Sequence, residues 1–227
     1  MVPAPARPSK PDKPAKAAAP GRPKDLEKGA AILEAAKRLF TTQGFDGTSM
    51  DQIAAAAGVS KLTVYSHFGD KESLFAAGAK AFCEQQLPGT LFEPHPEIPL
   101  RERLMQIARA FFAMISSPEA VAGHRILCTP QMADSPVPQM FWEAGPQRVQ
   151  AAFAELLRQR ESMGELEIDD IPRAASQFFT LLKGEPHAQL VFGCGQACDA
   201  DIEAHLAATV DLFLRAYGVR GVPARGA

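Results

Sequence analysis

Apolar positions along the first third of this chain fall at helical rather than strand spacing. Ile32, Leu33, Ala36, Leu39 and Phe40 recur every three or four residues, which predicts a helix over about 26–43 with one apolar face. It stops before Gly44, and Phe45 just beyond can pack back on Phe40, a contact that often accompanies a helix stop. Ser49, followed three residues later by Gln52, predicts a capping box that opens a short helix through Ala57. Ile53, Ala54 and Ala57 face inward, and the two alanines are small enough to let a following helix cross closely. Gly58-Val59-Ser60 reads as a tight turn. Gly58 takes the left-handed conformation, Val59 plugs the core and Ser60 caps the next helix. That helix runs from Lys61 to about His67, anchored by Val64 and Phe68. It leaves Lys61, Leu62, Thr63, Tyr65 and His67 outward. Two short helices joined by a three-residue turn make a helix-turn-helix.

The pattern continues in helices. Asp70 caps a helix over about 71–86 whose inward face is Leu74, Phe75, Gly78 and Phe82. A Pro-rich link, with Pro88, Pro94, Pro96 and Pro99, interrupts it and marks a domain boundary. Beyond it, helices are expected at about 99–116, 118–132, 136–161, 170–184 and 200–217. Pro118 and Pro172 suit first turns. Pro146 is expected to kink the third stretch, and Glu185-Pro186 to break or bend the fourth. No run alternates with period two for long enough to make a convincing strand. The expected fold is all-α, about nine helices in all, with a three-helix head (25–71) on a larger helical body (72–227). Residues 1–24 are Pro/Ala/Lys-rich, cannot bury a core and are expected to form a disordered basic arm.

Composition changes this picture mainly through charge. Hydrophobic residues make up 46% and charged residues 22%, the balance of a soluble globular protein. No apolar run approaches the roughly 20 residues of a membrane-spanning helix, and the N-terminus has no apolar signal region. Four cysteines in so long a chain do not make a disulfide framework, so a reducing cytoplasm is the expected compartment. The net charge is −2, but it is unevenly spread. Residues 1–80 carry 12 Lys/Arg against 8 Asp/Glu, and the remainder 12 against 18. A basic first third on an acidic body suits a nucleic-acid-binding head. Arg22 and Lys24, nearest the head, are the arm residues best placed to meet phosphates. On the second helix of the motif, Lys61, Tyr65 and His67 can donate to phosphates, Thr63 can bond a base edge, and Leu62 can meet a thymine methyl.

The run Gly44-Phe45-Asp46-Gly47-Thr48-Ser49-Met50-Asp51-Gln52-Ile53-Ala54, then Ala57-Gly58-Val59-Ser60-Lys61-Leu62-Thr63-Val64-Tyr65-Ser66-His67-Phe68-Gly69-Asp70-Lys71-Glu72-Ser73-Leu74-Phe75, resembles the TetR/AcrR regulators. The likeness is ungapped over about 50 residues. It implies a DNA-binding head, a linking fourth helix and a C-terminal domain that binds a ligand and dimerises. Positions matching Thr48, Ser60, Lys61, Leu62, Thr63, Tyr65, His67 and Lys71 contact DNA in that family. Family members often have a small residue at the Leu62 position, so this one departs from the pattern. Lys71 also opens a helix whose N-terminal N–H groups could receive a phosphate. The C-terminal sequence, with Arg125 near Leu127 and the closing run from Val210 to Gly218, is faintly similar to an AefR-like subgroup.

Two faces of the body bear on function. Phe179, Leu182, Leu206, Val210 and Phe213 recur at helical spacing on the last two long helices. The resemblance places a homodimer interface there, while the spacing alone equally allows core packing. Phe112, Met114, His124, Met132, Phe141, Trp142 and Phe178 are large residues that could line a pocket for an apolar or aromatic effector, or serve as ordinary core.

Other chemistries find little support. Cys194 and Cys198 lack the neighbours for a zinc set, so no metal or cofactor is expected. There is no GxSxG, Walker or GxGxxG motif. The leading expectation is a repressor of double-stranded operator DNA, released from an inverted repeat by a small molecule. The alternatives are a ligand-independent DNA binder whose body recruits a protein partner and, far behind, an enzyme.

Overall fold

A computed structural model describes residues 23–195 and 198–219, with side chains from residue 25. Among the described residues there are ten α-helices: α1 Pro23–Gln43, α2 Met50–Ala57, α3 Lys61–Phe68, α4 Lys71–Gln86, α5 Leu100–Ser116, α6 Pro118–Leu127, α7 Val137–Ala144, α8 Pro146–Ser162, α9 Ile171–Phe192 and α10 Asp199–Tyr217. The only β pairing among them is an isolated bridge between Leu166 and Gly218. The fold is all-α, as the periodicity predicts. Of the expected arm, residues 1–22, Arg22 among them, lie outside the described residues, while Pro23 and Lys24 open α1 instead, with the side chain of Lys24 not described.

Local chemistry sets the helix starts. Gln52 N–H donates to the Ser49 hydroxyl at 3.2 Å, and Ser49 N–H donates back to Gln52 Oε1 at 2.7 Å, completing the capping box. Gly58 ends α2 in the left-handed region (φ 66°, ψ 30°). Ser60 caps α3 by accepting from Thr63 N–H at 3.1 Å. Asp70 caps α4 by accepting from Ser73 N–H at 2.7 Å, which holds its carboxyl below the usual carboxylate range.

Two body elements differ from expectation, and a third bends where expected. The stretch expected at 136–161 is two helices, because Gly145 is non-helical (φ −117°, ψ −85°) and Pro146 opens α8 rather than kinking a longer rod. That division makes ten helices of the expected nine. The helix expected at 118–132 ends at Leu127, and Pro130–Met132 forms a separate 3-10 turn. The expected break or bend at Glu185-Pro186 is a kink at Gly184, whose φ of 47° and ψ of −158° are not helical, and α9 resumes beyond it to Phe192.

Two apolar clusters form the interior. The body core joins α5, α8, α9 and α10, with Phe178 stacked on Phe153 (4.8 Å between centroids) and edge-on to Phe213 (5.1 Å). Within it Arg160 is fully buried. It donates to Glu165 and to the carbonyls of His95 and Ile98, pinning the Pro-rich link to α8. Those partners offset most of the cost of burying a charge. The head core comprises Ile32, Phe40, Phe45, Ile53, Val64, Leu74 and Phe75, but also Met132 and Val137 from the body. α4 therefore serves both clusters, and packing does not divide cleanly at residue 71.

Candidate nucleic-acid interface and effector cavity

The helix-turn-helix presents α3 to solvent along one side. Val64 is fully buried, while Leu62 is 78% exposed and Tyr65 43% exposed. Leu62 is thus the most exposed large apolar side chain of α3. Lys61 is exposed and pairs with Asp51 at 2.9 Å, which raises its pKa. The pair is open to solvent, so an incoming phosphate can displace Asp51. Ser60 and Thr63 bond each other through their hydroxyls at 2.8 Å at the start of α3, and both remain close to solvent.

Three residues expected on this surface are placed otherwise. Thr48 is buried, and its hydroxyl donates to Gly44 O at 2.8 Å, so its side chain braces the loop between α1 and α2. His67 turns against α1, with Nε2 3.1 Å from an Asp25 carboxylate oxygen. Lys71 reaches back into the head. Its Nζ donates to Phe45 O at 3.0 Å and Thr48 O at 3.2 Å, over the Phe45 ring at 4.2 Å from the centroid. For His67 and Lys71 a partner on another element outcompetes water, which spacing along α3 or α4 cannot reveal, whereas Thr48 is held within its own loop.

The second candidate site is a cavity of about 160 Å³ where head and body meet. α1 contributes Ala36, Lys37, Phe40 and Thr41, and α4 contributes Leu74, Phe75, Gly78, Ala79, Phe82 and Cys83. Phe111, Met114 and Ile115 come from α5, His124 from α6, Phe141 and Trp142 from α7, Val149 from α8, and Phe179 and Lys183 from α9. Of the expected pocket residues, Met114, His124, Phe141 and Trp142 line this cavity. Phe112, Met132 and Phe178 do not. Phe112 packs edge-on to His205, Phe178 lies at the centre of the body core, and Met132 seals the head core. Their size and spacing suited a pocket and a core equally.

The wall is apolar except at a few points. Burial pushes His124 down to about 4, with the nearby charges of His187 and Lys183 adding to the effect. It is therefore neutral near neutral pH. Burial also lowers His187, then the Lys183 charge, and burial lowers Lys183 itself. Cys83 is pushed up to about 11 by burial, so it stays a thiol and is not a ready nucleophile. Lys183 was missed at the sequence level, although it lies one turn after Phe179 on α9, just before the kink at Gly184.

The residues expected at a dimer interface are also turned inward. Phe179, Leu182, Leu206, Val210 and Phe213 are each at most 3% exposed within the single chain and belong to its own core. On the other side of α9 and α10, Leu181 and Leu212 are exposed (41% and 46%), and Ala204 and Ala208 are exposed on the same stripe of α10 as Leu212.

No group of His, Cys, Asp and Glu among the described residues could hold a metal ion. No described helix is long and apolar enough to cross a membrane.

Comparison with known proteins places these features in context. Residues 32–77 match the profile of "Bacterial regulatory proteins, tetR family", and residues 102–219 match that of "AefR-like transcriptional repressor, C-terminal domain". The transcriptional activator FasR of Mycolicibacterium smegmatis is 32% identical over 93 residues, 41% of this chain and 42% of that protein, so the match spans less than half of either. A crystal structure of a TetR-family regulator from Mesorhizobium loti is 31% identical with a TM-score of 0.74, covering 87% of this chain and all of that one. The flavonoid-responsive regulator FrrA is 35% identical with a TM-score of 0.70, covering 86% of this chain and all of that one. These matched proteins are regulators of transcription, not enzymes.

Proposed function

This chain belongs to the TetR family of bacterial regulatory proteins, with an AefR-like C-terminal domain, and on that footing we propose that it is a homodimeric repressor released from an inverted-repeat operator by a small apolar or aromatic effector. Two copies would present their α3 helices to successive major-groove turns, with base contacts from Leu62 and Thr63 and phosphate contacts from Ser60, Lys61 and Tyr65. The exposed stripe of Leu181, Ala204, Ala208 and Leu212 is the apolar surface left for pairing once α9 and α10 have filled their own core. The matched C-terminal profile is that of a repressor, which supports repression over activation. FrrA is by name flavonoid-responsive, which supports an aromatic class of effector.

The observation that carries the reading is the sharing of Phe40 and Phe75 between cavity and head. Both line the cavity, and both pack on Phe45 at 5.5–5.6 Å between centroids. Phe45 in turn sits under Lys71 at the loop that starts the helix-turn-helix. A guest pressing on Phe40 or Phe75 would bias the position of each α3 and so the spacing of the pair, shifting the dimer toward a state that cannot grip both half-sites. Selection from a random DNA pool tests recognition. An enriched inverted repeat, lost on Thr63→Ala/Tyr65→Ala, is the expected result, and no enriched sequence overturns it. A reporter under the selected operator then reads the sign of regulation.

A further inference from the structure

Two polar groups of the cavity wall lie close together: His124 on α6 and Lys183 on α9, whose charge acts on the His124 ring. His187, four residues beyond Lys183, stands edge-on to His124 at 5.0 Å between ring centroids. His124 Nδ1 and His187 Nε2 are buried without a hydrogen-bond partner. Burial is the only influence acting on Lys183, and no carboxylate among the described residues pairs with it. Of the other charged wall residues, Lys37 pairs with Glu34 at 3.4 Å, and Glu119, on the first turn of α6, makes no ion pair with Lys183. Buried polar atoms are nearly always satisfied. Of the His124 and Lys183 pair, His124 Nδ1 is the buried atom left unpaired, beside a half-buried Lys183, and leaving it so is costly unless a guest completes it.

Most of the remaining wall is aromatic and aliphatic, with Phe40, Phe75, Phe111, Phe141 and Phe179 around the space. A volume of about 160 Å³ compares with the roughly 150 Å³ cavity that holds benzene in a well-studied case, so one ring fits. With Nδ1 as the unprotonated nitrogen of a neutral His124 imidazole, an oxygen on the guest ring donates a hydrogen bond to it and accepts one from the ammonium. A phenol does both, and its acidic O–H is a stronger donor than an alcohol's. A carboxylate can only accept, and a hydrocarbon does neither.

We infer that the effector is a phenol, whose ring occupies the Phe-lined cavity and whose hydroxyl donates to His124 and accepts from Lys183. This rests on the effector cavity proposed above and names the chemistry that the cavity selects. His187 holds the His124 ring in place and is a positioning residue.

The test is calorimetric titration of the full chain at neutral pH with three probes of one size class: p-cresol, p-xylene and p-toluate. p-Cresol is expected to bind about tenfold or more tightly than p-xylene, because a site built for a hydroxyl rejects its methyl isostere. In Lys183→Met and His124→Phe, p-cresol should fall to the level of p-xylene while p-xylene binding persists, showing that the cavity is intact. Equal binding of p-xylene and p-cresol, or tighter binding of p-toluate, overturns the phenol assignment and leaves the cavity standing. Failure of all three to bind overturns the assignment together with the cavity reading beneath it.

Discussion

Lys71 and Phe45 are joined twice. The Lys71 ammonium lies 4.2 Å from the Phe45 ring centroid and donates to the Phe45 carbonyl at 3.0 Å. A second bond, to Thr48 O at 3.2 Å, ties the same ammonium to the far end of the loop that precedes α2. One side chain therefore links the start of α4 to the start of the helix-turn-helix, and its charge is consumed within the head.

That arrangement predicts how Lys71→Met behaves. Hydrogen bonds from a charged donor contribute about 1.5–3 kcal/mol, so thermal or denaturant unfolding should show a loss of that order. The slope of log affinity for operator DNA against log salt should be unchanged. A drop of about one in that slope is what a lost phosphate contact produces, and observing it would show that Lys71 leaves Phe45 to meet DNA.

The exposed side of α3 predicts the opposite separation. Leu62→Ala and Tyr65→Ala remove side chains that touch little within the head, so unfolding midpoints should stay near wild type. Affinity for the selected operator should fall by about 1–3 kcal/mol for each. Loss of stability without loss of affinity would mean that α3 faces protein rather than DNA.

Burial of His124 predicts a pH-dependent stability. Its folded pKa of about 4 lies below the unfolded 6.5, so the unfolded chain takes up the proton first as pH falls. Stability is complete above about 6.5, declines between 6.5 and 4, and levels off in this respect below 4. The loss is at most about 3 kcal/mol at 1.36 kcal/mol per pKa unit. Denaturant titrations across this range should show the decline, and His124→Phe should flatten it. An unchanged decline in the variant would assign the proton to another group.

Inward and outward apolar residues of α9 and α10 should behave differently on substitution. Phe178→Ala opens a cavity in the body core and should cost about 3–5 kcal/mol. Leu181→Arg with Leu212→Arg should leave the helical circular dichroism unchanged and shift sedimentation from dimer to monomer. A variant that remains dimeric would move the interface off this stripe.

Gly184 occupies a conformation that other residues reach only with strain, and an added Cβ would sit 2.7 Å from His205 Cε1. His205 Nε2 is itself hydrogen-bonded to Leu182 O at 3.0 Å. Gly184→Ala should therefore destabilise by about 1–3 kcal/mol from the backbone alone, more if His205 is displaced. Wild-type stability in this variant would mean the bend in α9 is dispensable.

The sequence by itself determined the helices of the head, their caps and the turn between them. Ser49 with Gln52, Gly58, Ser60 and Asp70 all act within about four residues of chain, so residue type and spacing are enough to read them. It also determined the family, because that motif is dense with such local requirements. Only the tertiary structure decided which way the long-range faces turn. An apolar stripe records that a helix side is buried but not against what. Phe179, Leu182 and Val210 therefore looked as suitable for a partner subunit as for the chain's own core, which is where they lie. The same limit hid the engagement of Thr48, His67 and Lys71 by the head. It also hid the corner of His124, Lys183 and His187, which α6 and α9 assemble from positions about 60 residues apart. Those side chains meet only because two helices cross there, and a crossing is fixed by the packing of the whole body rather than by any stretch of its sequence.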